Sequence, residues 1–247
     1  MNLNQTLTQI AKDFGLNANE LIAYADEDQS IGGYHPDPRF QKFAAGAVWE
    51  VEGQILYALI RAVQPDNMLE LGSFSGCSSQ HMKSAMFANG GDPSKYYTCV
   101  SVDGAHGAVV MDAAMFLRET DEAYGLIFED TTHSRENLFA VWQAGVPKLQ
   151  PGGFMVSHDA LHFREGVHVR AGIEDAGIEA KYYLTEPSDC GLAIWRKPLE
   201  EKKSIIEIAK AVSPFIVTGD DTPAPTQKPS RKRTSRKRKK APEKVTA

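Results

Sequence analysis

Two short stretches set carboxylates beside imidazoles: FEDTTHS, which supplies Asp130 and His133, and VSHD, which supplies His158 and Asp159. Each follows an apolar run, so both are delivered to the end of a strand. Carboxylates can hold a divalent cation, and an imidazole can take a proton from a hydroxyl near neutral pH. Asp130, His158 and Asp159 are therefore candidate cation ligands, with magnesium or manganese as the metals suited to two carboxylates. Without a metal, His158 or His133 is the candidate base. The alternative for His158 is an imidazole that only bonds a neighbouring loop carbonyl. For His133 the alternative is a place at a helix start, where Ser134 or Thr132 serves as the cap.

A third stretch is built to hold a ligand rather than to react. MLELGSFSGCSSQHM, residues 68–82, places an acid at the end of an apolar run, then a tight turn containing Gly72 and Gly76, then a serine-rich helix start. Gly72 permits a sharp turn and a close approach to a ligand, Gly76 suits a conformation closed to other residues, and Ser78 or Ser79 can cap the helix. Glu70 is placed where a carboxylate could hold a cationic group. The Gly-x-x-x-Gly spacing, with Phe74 between, departs from the G-x-G-x-x-G expected of a dinucleotide fold.

The elements that must position these residues follow from periodicity. Residues 3–14 read as an amphipathic helix, and a second begins near Asn17 or Asn19. IGGYHPDPR, residues 31–39, reads as a loop, and residues 40–63 as a helix that Pro65 closes. Beyond it, short apolar runs alternate with helical stretches, the pattern of a parallel sheet buried on both faces. Strands are expected at 68–71, 99–102, 125–128 and 154–157, with a short one at 108–110. Helices are expected at 78–88, 113–119 and 135–145, a turn at 151–153, and an antiparallel closing pair at 181–184 and 192–195. The fold class is thus α/β, a doubly wound three-layer sheet.

The glycine stretch resembles the first motif of class I S-adenosylmethionine-dependent methyltransferases, especially the E-x-G-x-[FY]-[ST]-G form of the catechol and caffeoyl-CoA O-methyltransferases. EGQIL at residues 52–56 is similar to the lead-in these families carry. Further likenesses follow in order: CVSVD ending at Asp103, VVMDAAMFL with Asp112, LIFEDTTHSREN, and LQPGGFMVSHD. The resemblance covers residues 40–197. It implies a Rossmann-like, mostly parallel sheet with an antiparallel closing strand, and S-adenosylmethionine held by Glu70, Gly72, Ser73, Phe74, Gly76, Ser78, Asp103 and Asp112. Of these, Asp103 would bind the ribose hydroxyls, a task for a two-acceptor carboxylate, and Asp112 would lie near adenine. It implies methyl transfer to a hydroxyl of a small metabolite or sugar, with a divalent metal at Asp130, His158 and Asp159. One departure stands out. Only eight residues separate Asp103 from Asp112, too few for the usual crossover helix between strands two and three, so either the crossover is a bare loop or strand three is lost.

Bulk properties bound the rest. At 247 residues and 42% hydrophobic composition, the chain carries one full core with appendages. The segmentation expected is an N-terminal cover (1–39), the main domain (40–198), a C-terminal helix (199–217) and a disordered basic tail (218–247). Three scattered cysteines, Cys77, Cys99 and Cys190, form no disulfide or zinc pattern. The starting segment lacks the apolar stretch of a secretory signal and no long apolar run occurs, so the expectation is a soluble cytoplasmic protein without a membrane partner.

The net charge of -5 hides an asymmetry: residues 228–247 hold ten Lys/Arg and one acid, leaving seventeen basic against thirty-one acidic residues elsewhere. Such an acidic body does not suit a catalytic face that grips phosphates. The tail, residues 228–240 above all, fits weak nucleic-acid binding, or nuclear localisation in a eukaryote. A small-molecule acceptor and a second copy of the chain complete the expected partners. Two rival readings remain beside the leading one. In the first, a nucleic acid is the acceptor, against which the absence of D-P-P-Y or N-P-P-Y weighs; in the second, the fold member is degenerate and acts as a scaffold.

Overall fold

The computed structural model describes residues 1–31, 48–104 and 108–199. The expected loop beyond residue 31, the first part of the 40–63 helix, the C-terminal helix and the basic tail lie outside the described residues. Helix α1 (Leu3–Phe14) starts at Asn2, whose side chain accepts from the Gln5 backbone, and stops at Gly15 in the left-handed region. Helix α2 (Ala18–Ile31) and helix α3 (Glu50–Val63) follow. Gln64 ends α3 one residue before Pro65, as the sequence predicts.

The sheet then builds from β1 (Met68–Leu71), β2 (Tyr97–Val100), β3 (Tyr124–Glu129), β4 (Leu149–Ser157), β5 (Lys181–Tyr183) and β6 (Leu192–Arg196). Between them lie α4 (Cys77–Ala88), α5 (Pro93–Tyr96), α6 (Ala113–Glu119), α7 (Arg135–Lys148) and α8 (Gly166–Asp175). The order is β2-β1-β3-β4-β6-β5. Pairings among β1 to β4 are parallel, while β6 runs antiparallel to both β4 and β5. The doubly wound sheet with an antiparallel closing pair is therefore confirmed. The expected strand at 108–110 is reduced to one bridge, Val109 beside Val100, so the crossover is a loop returning to a vestigial edge. Two helices escaped the sequence reading, α5 and α8.

Strand side chains alternate between two cores, as the period of two requires. Met68, Phe128, Phe154 and Val156 face α1 to α4, while Leu69, Leu71, Ile127 and Met155 face α6 to α8. This alternation decides where the site residues point. Glu70 shares the face of Met68, and Glu129 shares that of Ile127. The chain leaves β1 toward β2 on one side and returns at β3 on the other, so the sheet's switch point lies between the carboxyl ends of β1 and β3. Doubly wound folds bind ligands there. Among the described residues no helix is long and apolar enough to cross a membrane.

Candidate active site

A pocket of about 260 Å³ opens at this switch point. Its walls are Gly72, Ser73 and Phe74 from the β1–α4 turn, Val100 to Asp103 after β2, Met111 to Ala113 entering α6, and Asp130 to Thr132 with Asn137 beyond β3. Gly72 has φ +86, and a Cβ there would lie 2.1 Å from the Asp130 carbonyl oxygen. The turn therefore abuts the chain leaving β3 as closely as backbone permits. Ser73 is buried, and its hydroxyl has no hydrogen-bond partner among the described residues. Such an orphan in a pocket wall is a place for a ligand's polar group.

Of the residues expected to hold a cofactor, Gly72, Ser73, Phe74, Asp103 and Asp112 line this pocket, whereas Glu70, Gly76 and Ser78 do not. Asp103 accepts from the Ser101 hydroxyl at 2.5 Å. Asp112 caps α6, accepting from the Met115 backbone at 2.9 Å. Glu70 is fully buried on the opposite sheet face, where it accepts from the hydroxyls of Ser78 and Ser79, both at 2.5 Å, and of Tyr97. Burial pushes its carboxyl up to about 7 against the pull of the two serines. Glu70 thus ties the start of α4 to β1 and β2 rather than reaching the pocket. Ser78 and Ser79 consequently do not cap α4; that position falls to Gly76, in the left-handed region at φ 76.

The acid and imidazole residues converge next to the pocket's Asp130 wall. His133 Nε2 lies 3.4 Å from Asp130 Oδ1 and 3.4 Å from Asp159 Oδ2. That nitrogen is buried without a hydrogen-bond partner among the described residues. Donors about 3.4 Å apart subtend roughly 110° at an ion about 2.1 Å from each, a normal ligand distance for divalent metals. The three residues therefore fit a divalent cation, and the imidazole favours manganese over magnesium.

His158 is placed differently from the expectation that it serves as metal ligand or base. Its Nε2 meets Glu52 Oε2 at 2.8 Å, its Nδ1 meets Asp159 Oδ2 at 3.1 Å, and its side chain is 1% exposed. Burial alone would lower its pKa, but the charges and hydrogen bonds of Asp130, Asp159 and Glu52 hold it well above the usual histidine value. A ring bonded by carboxylates on both nitrogens offers no lone pair, so of the two histidines only His133 is placed as a candidate third ligand. Asp130 would likewise be raised by burial, yet His158 and His133 keep it below the ordinary carboxylate range. His133 also stands at the start of α7, where Ser134 is the cap the sequence offered, accepting from the Asn137 backbone at 3.2 Å.

Sequence reasoning missed two further acids. Glu52 stands out in the sequence only as part of the EGQIL stretch, yet it anchors His158. Glu129, fully buried, accepts from the Thr131 backbone at 3.0 Å and from the Ser157 hydroxyl at 2.6 Å, fixing the turn that presents Asp130. An acid within an apolar strand or helix face is the signal for both, since it needs buried partners.

No family model matches the sequence, and no curated protein is significantly similar to it. Among solved structures, the chain is similar to cofactor-bound Rv0187 from MTB, at 17% identity and a TM-score of 0.51, over 69% of this chain and 95% of that one. It is also similar to the O-methyltransferase TomG from Streptomyces achromogenes, solved with SAM, at 18% identity, a TM-score of 0.49, and coverage of 72% and 99%. For an O-methyltransferase from Bacillus cereus, solved with SAH, the values are 15%, 0.48, and 72% and 99%. Identities this low speak to fold alone. The shared fold, with the strand order above, is a Rossmann-like, mostly parallel doubly wound sheet with an antiparallel closing pair.

Proposed function

We propose that this protein transfers the methyl group of S-adenosylmethionine to a hydroxyl of a small metabolite or sugar, assisted by a divalent cation at Asp130, His133 and Asp159. The observation that carries the reading is the shared wall: Asp130 borders the switch-point pocket and also belongs to the acid–imidazole cluster. A donor in the pocket and an acceptor at the cluster would therefore meet across one residue.

Each residue's part follows from its placement. Gly72 lets the turn pack directly on the backbone of Asp130, which lines the pocket beside it, and Ser73 offers its orphan hydroxyl. Asp103 presents a carboxylate suited to a vicinal diol, and Asp112 lines the same pocket. The reaction is an in-line displacement in which the acceptor oxygen attacks the methyl carbon, the carbon–sulfur bond breaks with its electron pair left on sulfur as the neutral thioether, and the hydroxyl proton passes to His133 Nε2 or, where a cation occupies that nitrogen, to solvent. When bound, a cation would lower the hydroxyl's pKa and direct its oxygen. Holding both reactants in register would supply much of the remaining acceleration.

Asp159→Ala tests this assignment. It should abolish transfer to a hydroxylated acceptor while leaving S-adenosylmethionine binding unchanged, since Asp159 does not line the pocket. Full transfer in the folded variant would remove the cluster from the mechanism.

A further inference from the structure

Glu52 stands in the first turn of α3, 106 residues from His158, with a side chain 1% exposed. Four donors converge on it. The Ser188 hydroxyl at 2.6 Å and the Gly191 backbone N–H at 2.7 Å reach Oε1, while the Trp49 backbone N–H at 3.2 Å and His158 Nε2 at 2.8 Å reach Oε2. One carboxylate thus joins three segments distant in sequence: the start of α3, the end of β4, and the loop between β5 and β6.

His158 carries this anchorage onward. Its Nδ1 lies 3.1 Å from Asp159 Oδ2 and 3.5 Å from Asp130 Oδ1, the same two oxygens that face His133 Nε2. Asp159 is also one of the few non-glycine residues with a positive φ among those described, at +55. Strained backbone at a carboxylate persists only where surrounding bonds over-determine it. We infer that Glu52 is a positioning residue for the Asp130–His133–Asp159 cluster, acting through His158 to aim the two aspartate oxygens at a common point. This rests on the reading of that cluster as the cation and acceptor site.

Outer partners of metal ligands typically change cation affinity roughly 10- to 100-fold when removed. The test uses the full-length chain with Glu52→Gln, and with Glu50→Gln as a control in the same turn, since Glu50 is exposed. Two readouts are taken at one fixed pH: the His133 ring resonances by NMR without metal, and the affinity for Mn2+ by titration. S-adenosylmethionine affinity is followed alongside as a measure of an intact pocket.

The expected result is that Glu52→Gln shifts the His133 resonances and weakens Mn2+ roughly 10- to 100-fold, with cofactor affinity unchanged and Glu50→Gln silent in both. A folded Glu52→Gln with wild-type His133 resonances and wild-type Mn2+ affinity overturns the inference while leaving the cation site standing. If the wild type binds no Mn2+ yet the His133 resonances move in Glu52→Gln alone, positioning holds and the cation reading falls. Should Glu52→Gln not fold, Ser188→Ala removes one of the four donors without touching the charge. It should then shift the same two readouts in the same direction by a smaller amount, and wild-type values there would equally overturn the inference.

Discussion

Gly72→Ala separates two reasons for which a glycine can be required. Gly72 and Gly90 have nearly equal φ, +86 and +83, so a methyl group at either incurs the left-handed penalty of about 1–2 kcal/mol. They differ in what the methyl meets. At Gly90 no atom of the described residues lies within 4 Å, whereas at Gly72 the new Cβ would sit 2.1 Å from the Asp130 carbonyl oxygen, 2.7 Å from its carbon and 3.3 Å from the Thr131 nitrogen. All three are backbone atoms at the end of β3, and none can swing aside as a flexible side chain would. Relieving the contact requires the chain after β3 to move by about 1 Å, a distortion of the kind that costs about 1–3 kcal/mol. The expected losses are therefore about 2–5 kcal/mol for Gly72→Ala and about 1–2 kcal/mol for Gly90→Ala. Urea unfolding of both variants beside the wild type measures them, with a common m-value confirming that the midpoints are comparable. Because the displaced atom belongs to Asp130, Gly72→Ala should also weaken cofactor binding, and Gly90→Ala should not. Equal losses in the two variants would refute the claim that close approach, rather than φ, fixes Gly72.

Two other expectations follow from charge. Burial pulls the His81 imidazole down, but its 2.8 Å bond to buried Asp28 outweighs this and raises its pKa to about 9. The pair stabilises the fold fully below the ordinary histidine value near 6.5, and the contribution fades as pH rises through about 9, by about 3 kcal/mol at most. Urea midpoints between pH 7 and 10 should fall more steeply in the wild type than in Asp28→Asn; parallel slopes would show that the pair does not titrate as described. The ten cations of residues 228–247 should give the chain a weak, sequence-independent affinity for nucleic acid that drops steeply between low and physiological salt and vanishes on truncation after Thr218. Small-molecule transfer should survive the same truncation, and its loss would favour a nucleic-acid acceptor.

What was legible in the sequence was what local pattern controls. The apolar run at 68–71 followed by Gly72 reads as strand and turn because both depend on adjacent residues, and β6 declares itself similarly. Helix α8 did not, for physical reasons. Its start at Glu165 lacks a side-chain cap, and Gly172 lowers its propensity yet is required, since a Cβ there would lie 2.5 Å from the Leu138 Cβ of α7. The pairing of helices, not local preference, makes that segment helical. The PGG at 151–153 read as a turn but belongs to β4, beside a register shift against β3. Glu70 could have been placed correctly from strand alternation, since it shares the face of Met68. The Glu52–His158 pair could not, because nothing in either neighbourhood announces a partner 106 residues away.

Calorimetric titration with S-adenosylmethionine and its demethylated product asks whether the switch-point pocket is a cofactor site. Saturable binding of both is expected, weakened at least tenfold in Asp103→Ala, a loss of about 1.4 kcal/mol. No binding by the folded wild type, or binding indifferent to Asp103, would contradict that assignment.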